Sequence, residues 1–463
     1  MLLAVISLIY VLIVFLFFRR YRKYKLAIPL PGPPPDPPST SYLTGHFKRL
    51  FGLHGIAFQE EVFKAYGPTV RMAGILGAQF TFTLDPGVIH AVLVKDRLKF
   101  EQIQEKILIS RSLFGGGLVG LRGTVYFYLV HDCRLPYLKG RNIVNNVNYF
   151  IRSSQDIILA NLPIFTDVAK RACRAFDKSL SNEVIDVIPW TMAAALELIG
   201  QAGLGYSFNS FSGEKNDYGM ASKSVAQLFI KLMPFIPIYP YLARLPITRD
   251  LLVWIPFSLL RQVLRATSLQ NEQAEQILCE RSAMLARKVS LKSGAGRGKD
   301  IITQLMEANE GLDRKAMIGH MNVFIFAGRE TMSSTIARVL DILSENPRIQ
   351  ERLRDEVLEC READILKLPY LDAVIKEVLR FYPAAAYIYR ELTFGAGQYA
   401  CIGFKFAVMG IKIMTAQLIK SFKFEPSGEE YAWEVYGVQN PYLVGEEPGP
   451  TKVPKLPLKV SRI

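Results

Sequence analysis

The stretch FGAGQYACIGFKFA, from Phe394 to Ala407, decides how this chain is interpreted. A single cysteine, Cys401, lies among glycines, and a helical pattern begins directly after it. Gly395, Gly397 and Gly403 carry no side chains, so the backbone there can lie against a flat ligand. N–H groups at a helix start favour a thiolate, and a thiolate is the form of cysteine that binds metal.

Few residues near Cys401 in the sequence could bind a metal together with it. One thiolate without a nearby histidine or cysteine suits the single axial position of a haem, whereas a zinc site needs four ligands. The helix is expected to begin near Ile402, with its positive end towards the sulfur. The alternative is that Cys401 is a small buried hydrophobic residue, which is the common role of an isolated cysteine.

A second unusual stretch is AGRET, Ala327 to Thr331, inside a long and mostly apolar helical pattern from Asp313 to Glu345. Gly328 costs about 1 kcal/mol there relative to alanine. The Thr331 hydroxyl can bond to the carbonyl of Ala327 and loosen the helix. A loosened turn of this kind can bind a small molecule such as oxygen.

Two charged residues lie in the same stretch. Arg329 and Glu330 interrupt an otherwise apolar run. A carboxylate beside the Thr331 hydroxyl can relay protons. The alternative is an amphipathic helix whose charged edge faces water.

A third stretch, KEVLR, runs from Lys376 to Arg380. Glu377 and Arg380 are three residues apart on one helix face and can form an ion pair. Such pairs are common on helices, so this feature gains meaning only beside the other two.

Together, the three stretches resemble the cytochrome P450 family of haem–thiolate monooxygenases, in the style of its fungal members. AGRET is similar to that family's Ala/Gly-Gly-x-Asp/Glu-Thr motif, and Glu377 with Arg380 to its Glu-x-x-Arg pair. The family's cysteine loop, Phe-x-x-Gly-x-Arg-x-Cys-x-Gly, is matched by Phe394, Gly397, Cys401 and Gly403.

The resemblance implies a chemistry for these residues. Cys401 is the implied metal ligand, holding the iron of haem b (iron protoporphyrin IX) and helping to split the O–O bond. Thr331 and Glu330 are the implied catalytic residues, which stabilise dioxygen and deliver protons. The residues implied to bind the cofactor are Cys401, Phe394, Gly397, Gly403, Glu377, Arg380, Ala327 and Gly328. The implied partners are O2, an apolar small-molecule substrate and an NADPH-dependent reductase.

The resemblance and the patterning imply a mainly α fold with a minor β-sheet (α+β) and an N-terminal transmembrane helix. We expect a membrane anchor over residues 1–18, a basic cluster and proline-rich hinge over 19–40, and a haem–thiolate monooxygenase-like domain over 41–463. Two short strands are expected between Thr69 and Leu84.

The anchor is expected because residues 1–18 carry no charge and span about 27 Å as a helix, close to a bilayer's hydrocarbon thickness. The basic run RRYRKYK, Arg19 to Lys25, follows the apolar run, which places the body in the cytosol, at the endoplasmic reticulum by resemblance. The alternative is a buried core helix.

Charge and cysteine content narrow the partners. Lysine and arginine number 56 against 42 acidic residues, an excess of 14. A basic excess suits membrane lipid or an acidic protein partner, and without a long Lys/Arg tract we expect no nucleic-acid partner. The five cysteines form no CxxC pair, which indicates reduced, cytosol-facing thiols.

The chain also departs from the family pattern. Tyr399 stands where the family's loop has an arginine, and only 20 residues separate Arg380 from Cys401, where family members carry several dozen more. Residues 124–148 show no Trp-x-x-x-Arg motif and read like translated intron. Two hypotheses follow: an active monooxygenase, or a haem-poor, non-catalytic membrane-anchored remnant or mis-spliced product.

Overall fold

The fold is known from a computed structural model, which separates into two compact units, one ending at His90 and one beginning at Ala91. The structure describes residues 30–33, 44–50, 54–74, 79–96, 99–100, 104–115, 160–180, 183–213, 217–232, 258–286, 300–307, 314–385, 401–445 and 453–463. Outside these ranges lie the expected anchor, the segment 124–148, Phe394, Gly397 and Tyr399. Within them, no helix is long and apolar enough to cross a membrane.

The first unit is a short helical and hairpin assembly. Its helices are α1 (Phe47–Leu50), α2 (Gly55–Tyr66) and α3 (Pro86–His90). Strand β1 (Thr69–Ala73) pairs antiparallel with β2 (Gln79–Thr83), which confirms the two strands expected from the sequence.

The second unit is mainly helical in its described residues. Its helices are α4 (Gln104–Phe114), α5 (Leu162–Lys178), α6 (Ile188–Leu198), α7 (Asp217–Leu232), α8 (Ser258–Ala286), α9 (Ile301–Glu307), α10 (Arg314–Glu345), α11 (Pro347–Glu359), α12 (Pro369–Phe381) and α13 (Phe404–Ser421). Five-residue-spaced π-helical turns run over Ala91–Lys95 and Ile199–Leu204, and a 3₁₀ helix over Glu362–Lys367.

Proline marks several helix starts. Helices α5, α6, α11 and α12 each carry a proline at one of their first two positions. Proline suits this place because its missing N–H would have no partner inside the helix.

The strands of the second unit form two small antiparallel sheets. Strand β3 (Val184–Asp186) and β4 (Phe422–Pro426) pair with opposite edges of β7 (Pro457–Arg462). Strands β5 (Tyr431–Tyr436) and β6 (Val438–Leu443) form a hairpin. Gly437 joins them with a φ of 84°, a conformation that favours glycine.

Helix α10 is the centre of the second unit. Apolar residues occur all round it, as expected for a buried helix. Its C-terminal half, from Met332 to Leu343, joins the main core together with residues of α5, α6, α12 and α13. The mainly helical architecture with small sheets agrees with the fold class expected from the sequence.

Candidate functional site

The AGRET turn opens one face of α10. The Thr331 Oγ1 donates to the carbonyl of Ala327 at 2.6 Å, which is the bond predicted from the sequence. The hydroxyl of Thr335 repeats the pattern by donating to the carbonyl of Thr331 at 2.9 Å. Ala327 is exposed and Thr331 half-buried, although most residues of this helix are buried. The turn therefore offers a hydroxyl on an open face.

Gly328 has a packing role on another face of the same turn. A Cβ at this position would lie 2.6 Å from the Cδ1 of Ile199 and 3.2 Å from its Cγ1. Ile199 begins the π-helical turn that continues α6. The helix-breaking residue in AGRET thus allows the two helices to approach closely.

Arg329 does not face water, which the alternative of an amphipathic helix with a solvated charged edge would require. Its Nη1 donates to the carbonyl of Gly219 on α7 at 2.8 Å, and its Nε is buried without a hydrogen-bond partner. Burial lowers the pKa of the Arg329 guanidinium, and the neighbouring Glu330 opposes that shift. Glu330 itself is half-buried. The two charges of AGRET therefore have different surroundings.

Cys401 lies just before α13, which begins at Phe404, two residues later than the sequence predicts. Cys401 retains exposed surface, yet the protein packed around it raises the pKa of its thiol. The backbone N–H groups of Gly403 and Phe404 oppose this rise without cancelling it. A Cβ added at Gly403 would meet only the sulfur, at 3.9 Å. The sulfur has both N–H groups and free space beside it.

A single thiolate is consistent with the rest of the described chain. Among the residues that the structure describes, no group of three histidine, cysteine, aspartate or glutamate side chains could hold a metal ion.

The structure brings Cys401 and AGRET to one hydrophobic cluster. Ile402 and Phe406, on either side of the α13 start, pack against a group of buried residues that includes Ile199 and Ile325. Gly328 lies against the same Ile199. Two of the three stretches found in the sequence therefore lie near each other.

The third stretch is not part of that cluster. Arg380 donates from Nε and Nη2 to the two carboxylate oxygens of Glu377, at 2.9 and 2.8 Å, so the expected pair is formed. Their side chains are 61% and 59% exposed, because α12 buries Leu371, Ile375 and Val378 instead. The pKa of Glu377 is lowered by its hydrogen bond from Arg380. The pair faces solvent.

The structure contains a polar network around Asp341 that the sequence does not predict. Asp341 on α10 accepts hydrogen bonds from Tyr431 Oη and from Trp433 Nε1, the latter at 2.7 Å. The Arg338 guanidinium lies 3.5 Å from the centre of the Trp433 ring. The signal in the sequence was the pair of charges at 338 and 341 inside an apolar helix. This network fastens β5 to α10.

Comparison with known proteins identifies the family to which the chain belongs. The family model described as "Cytochrome P450" matches residues 141–393 and 387–436, more than half of the chain. A cytochrome P450 monooxygenase 91 of Postia placenta is 28% identical, with 94% of each chain covered. A ganoderic acid synthetase of Ganoderma lucidum is 28% identical over 80% of this chain and 69% of its own length.

The matches also contain positions that have no residue in this chain. The first of these alignments spans 533 positions, but 94% of 463 residues is about 435, so about 98 positions have no residue here. The family match divides at residues 387–393, directly before the cysteine loop. It begins at residue 141, so residues 124–140 lie outside it while 141–148 lie within. The break falls where the sequence predicts a missing segment.

Proposed function

Because the chain belongs to the cytochrome P450 family of monooxygenases, we propose that it inserts one atom of O2 into an apolar small molecule, using NADPH electrons delivered by a reductase. The observation that carries the proposal is the shared cluster beside Ile402 and Gly328, which brings the cysteine loop and the AGRET turn together. The family implies haem, and we propose that it is haem b.

The described residues around the Cys401 sulfur fit a haem bound through that sulfur. The sulfur has two backbone N–H groups directed to it, and among the described residues a Cβ at Gly403 would meet only this sulfur, at 3.9 Å. Ala327 offers an exposed, small surface on α10. Cys401 would hold the haem, and the bound haem would supply the redox chemistry that activates O2.

Thr331 and Glu330 would handle protons. The Thr331 hydroxyl donates to the Ala327 carbonyl at 2.6 Å. When this bond is released, the hydroxyl can donate its proton towards O2 and accept a replacement proton from a neighbour. The half-buried carboxylate of Glu330 would replace that proton from solvent. Such positioned proton transfer contributes about 100-fold or more to a rate.

We also propose where the enzyme works. Residues 1–18 would anchor it in the endoplasmic reticulum membrane, with the body in the cytosol. The basic excess of 14 charges supports contact with anionic lipid and with an acidic reductase surface.

The test is an oxygen-labelling assay on the full chain. The protein, supplied with haem, would be combined with a reductase, NADPH and ¹⁸O2 in lipid vesicles, and a panel of apolar compounds would be screened. We expect a product with one ¹⁸O that depends on NADPH. Thr331→Ala would lower its rate by about 100-fold, and Thr331→Ser would restore most of it. Product that forms without NADPH, or that takes its oxygen from water, would contradict the proposal.

A second function is favoured by one observation. The Glu377–Arg380 pair, which the family resemblance assigns to haem support, is exposed on α12 and lies near residues 387–393, where the family match divides. We propose as the alternative a haem-poor, non-catalytic membrane-anchored remnant or mis-spliced product. The number of haem groups per chain separates the two functions, and transcript sequencing across residues 380–401 tests the mis-splicing directly.

A further inference from the structure

Arg329 has no role in the proposed chemistry, although it lies within the AGRET turn. Arg329 is half-buried near the middle of α10, and its Nη1 donates to the carbonyl of Gly219, the third residue of α7. Its Nε is buried and, among the described residues, has no hydrogen-bond partner. Partly satisfied buried cations are costly unless the position requires them.

A second contact holds the same turn of α7. Tyr218, which is almost fully buried, donates to the Asn322 Oδ1 at 2.7 Å. The Asn322 Nδ2 in turn donates to the Oδ1 of Asn271 on α8 at 2.8 Å. Asn322 and Arg329 are seven residues apart, so they lie on the same face of α10. Tyr218 and Gly219 of α7 therefore bond to two successive parts of α10, at Asn322 and at Arg329.

We propose that Arg329 is a positioning residue that couples the first turn of α7 to the AGRET turn of α10. If α7 moved away, Nη1 would lose the Gly219 carbonyl while Nε stayed buried, so Arg329 would follow α7 or the turn would rearrange. Arg329 shares that turn with Glu330 and Thr331. The position of α7 thereby biases the geometry of the two residues that handle protons; only this catalytic consequence rests on the proposed function.

The coupling can be measured by amide hydrogen exchange on the full chain, without haem or substrate. Arg329→Met keeps the length of the side chain and removes its charge and donors. We expect exchange to rise roughly tenfold, as for the loss of a hydrogen bond to a charged group, in peptides covering both 217–232 and 322–335. Arg329→Lys, which keeps a donor, should give an intermediate rise in both.

The matched control is Arg338→Met on the same helix. Arg338 stacks on Trp433 of β5 instead, so this variant should leave exchange in 217–232 unchanged. Tyr218→Phe tests the coupling from the other side, and it should speed exchange in the AGRET turn as well as in α7.

Three outcomes would overturn the coupling. One is unchanged exchange in α7 of Arg329→Met. Another is an equal rise in every peptide, including those of α13, which would mean general destabilisation. The third is a rise confined to α7 in Tyr218→Phe, which also decides the matter if Arg329→Met does not fold. Because the readout needs no haem, its failure is distinct from failure of the proposed monooxygenase.

Discussion

At Cys401, burial and the backbone N–H groups at the start of α13 shift the pKa of the thiol in opposite directions. The packed surroundings raise the pKa of the thiol, and the N–H groups of Gly403 and Phe404 lower it by less. The sequence predicts only the second effect, because glycines and a helix start can be read from it but the density of packing cannot. Without a metal, the balance favours the thiol over the thiolate.

His320 gives the account a test by pH. This residue is buried in α10, and burial lowers its pKa from 6.5 to about 4. The folded protein therefore binds this proton more weakly than the unfolded chain does. Stability is fully present above pH 6.5 and is lost as the pH falls towards 4, by on the order of 3 kcal/mol over that range.

The measurement is urea unfolding between pH 4 and 7. His320→Asn should flatten the part of the pH dependence that this group causes. His54→Gln, a change at an exposed histidine, is the matched control and should leave the profile as it is. An unchanged profile in His320→Asn would show that this histidine does not cause the acid sensitivity.

At the scale of elements, Gly328 lies where the π-helical turn that follows α6 packs against α10. Alanine there gains about 1 kcal/mol of helix propensity. Its Cβ, however, would lie 2.6 Å from the Cδ1 of Ile199, and such overpacking costs about 1–3 kcal/mol. We expect Gly328→Ala to lower the free energy of unfolding, as measured by urea denaturation.

A double-mutant cycle is the control. Ile199→Ala removes the atoms that the new methyl group would meet, so Gly328→Ala should cost less in that background. If Gly328→Ala stabilises the protein with Ile199 intact, the close approach is not what requires glycine.

The exposed pair on α12 should contribute little to the stability of this chain. Glu377→Gln breaks an ion pair that lies in solvent, so the urea midpoint should not shift measurably. Asp341→Asn is a buried counterpart: it weakens bonds from Tyr431 and Trp433 and should cost about 1–3 kcal/mol. A large loss in Glu377→Gln would mean that other protein covers the pair.

The sequence predicts elements better than their contacts. The end of α10 at Glu345 and the bond from Thr331 to Ala327 both follow from local rules, and both are confirmed. The sequence predicts the start of α13 two residues too early, because a turn at Ile402 and Gly403 precedes the helix. The contact of Ile199 with Gly328 could not be predicted, because it joins residues far apart in the chain.

For the whole molecule, the family is clear, and the alignment with a relative contains many positions that have no residue in this chain. About 98 aligned positions of the Postia placenta relative have no residue here, and the family match breaks before the cysteine loop. The described face of α12 beside that break is open, with Phe381 59% exposed. We expect a haem held at Cys401 to be retained weakly, because Tyr399 stands where the family's loop has an arginine and only 20 residues separate Arg380 from Cys401.

The most direct test is a haem titration of the purified full chain, followed by the spectrum of the reduced, carbon monoxide-bound form. We predict fewer than one haem per chain as purified. With added haem, we predict a strongly red-shifted Soret band that Cys401→Ala lacks. A full complement of haem at purification would contradict weak retention, and the same spectrum in wild type and Cys401→Ala would contradict the role of Cys401 as the ligand.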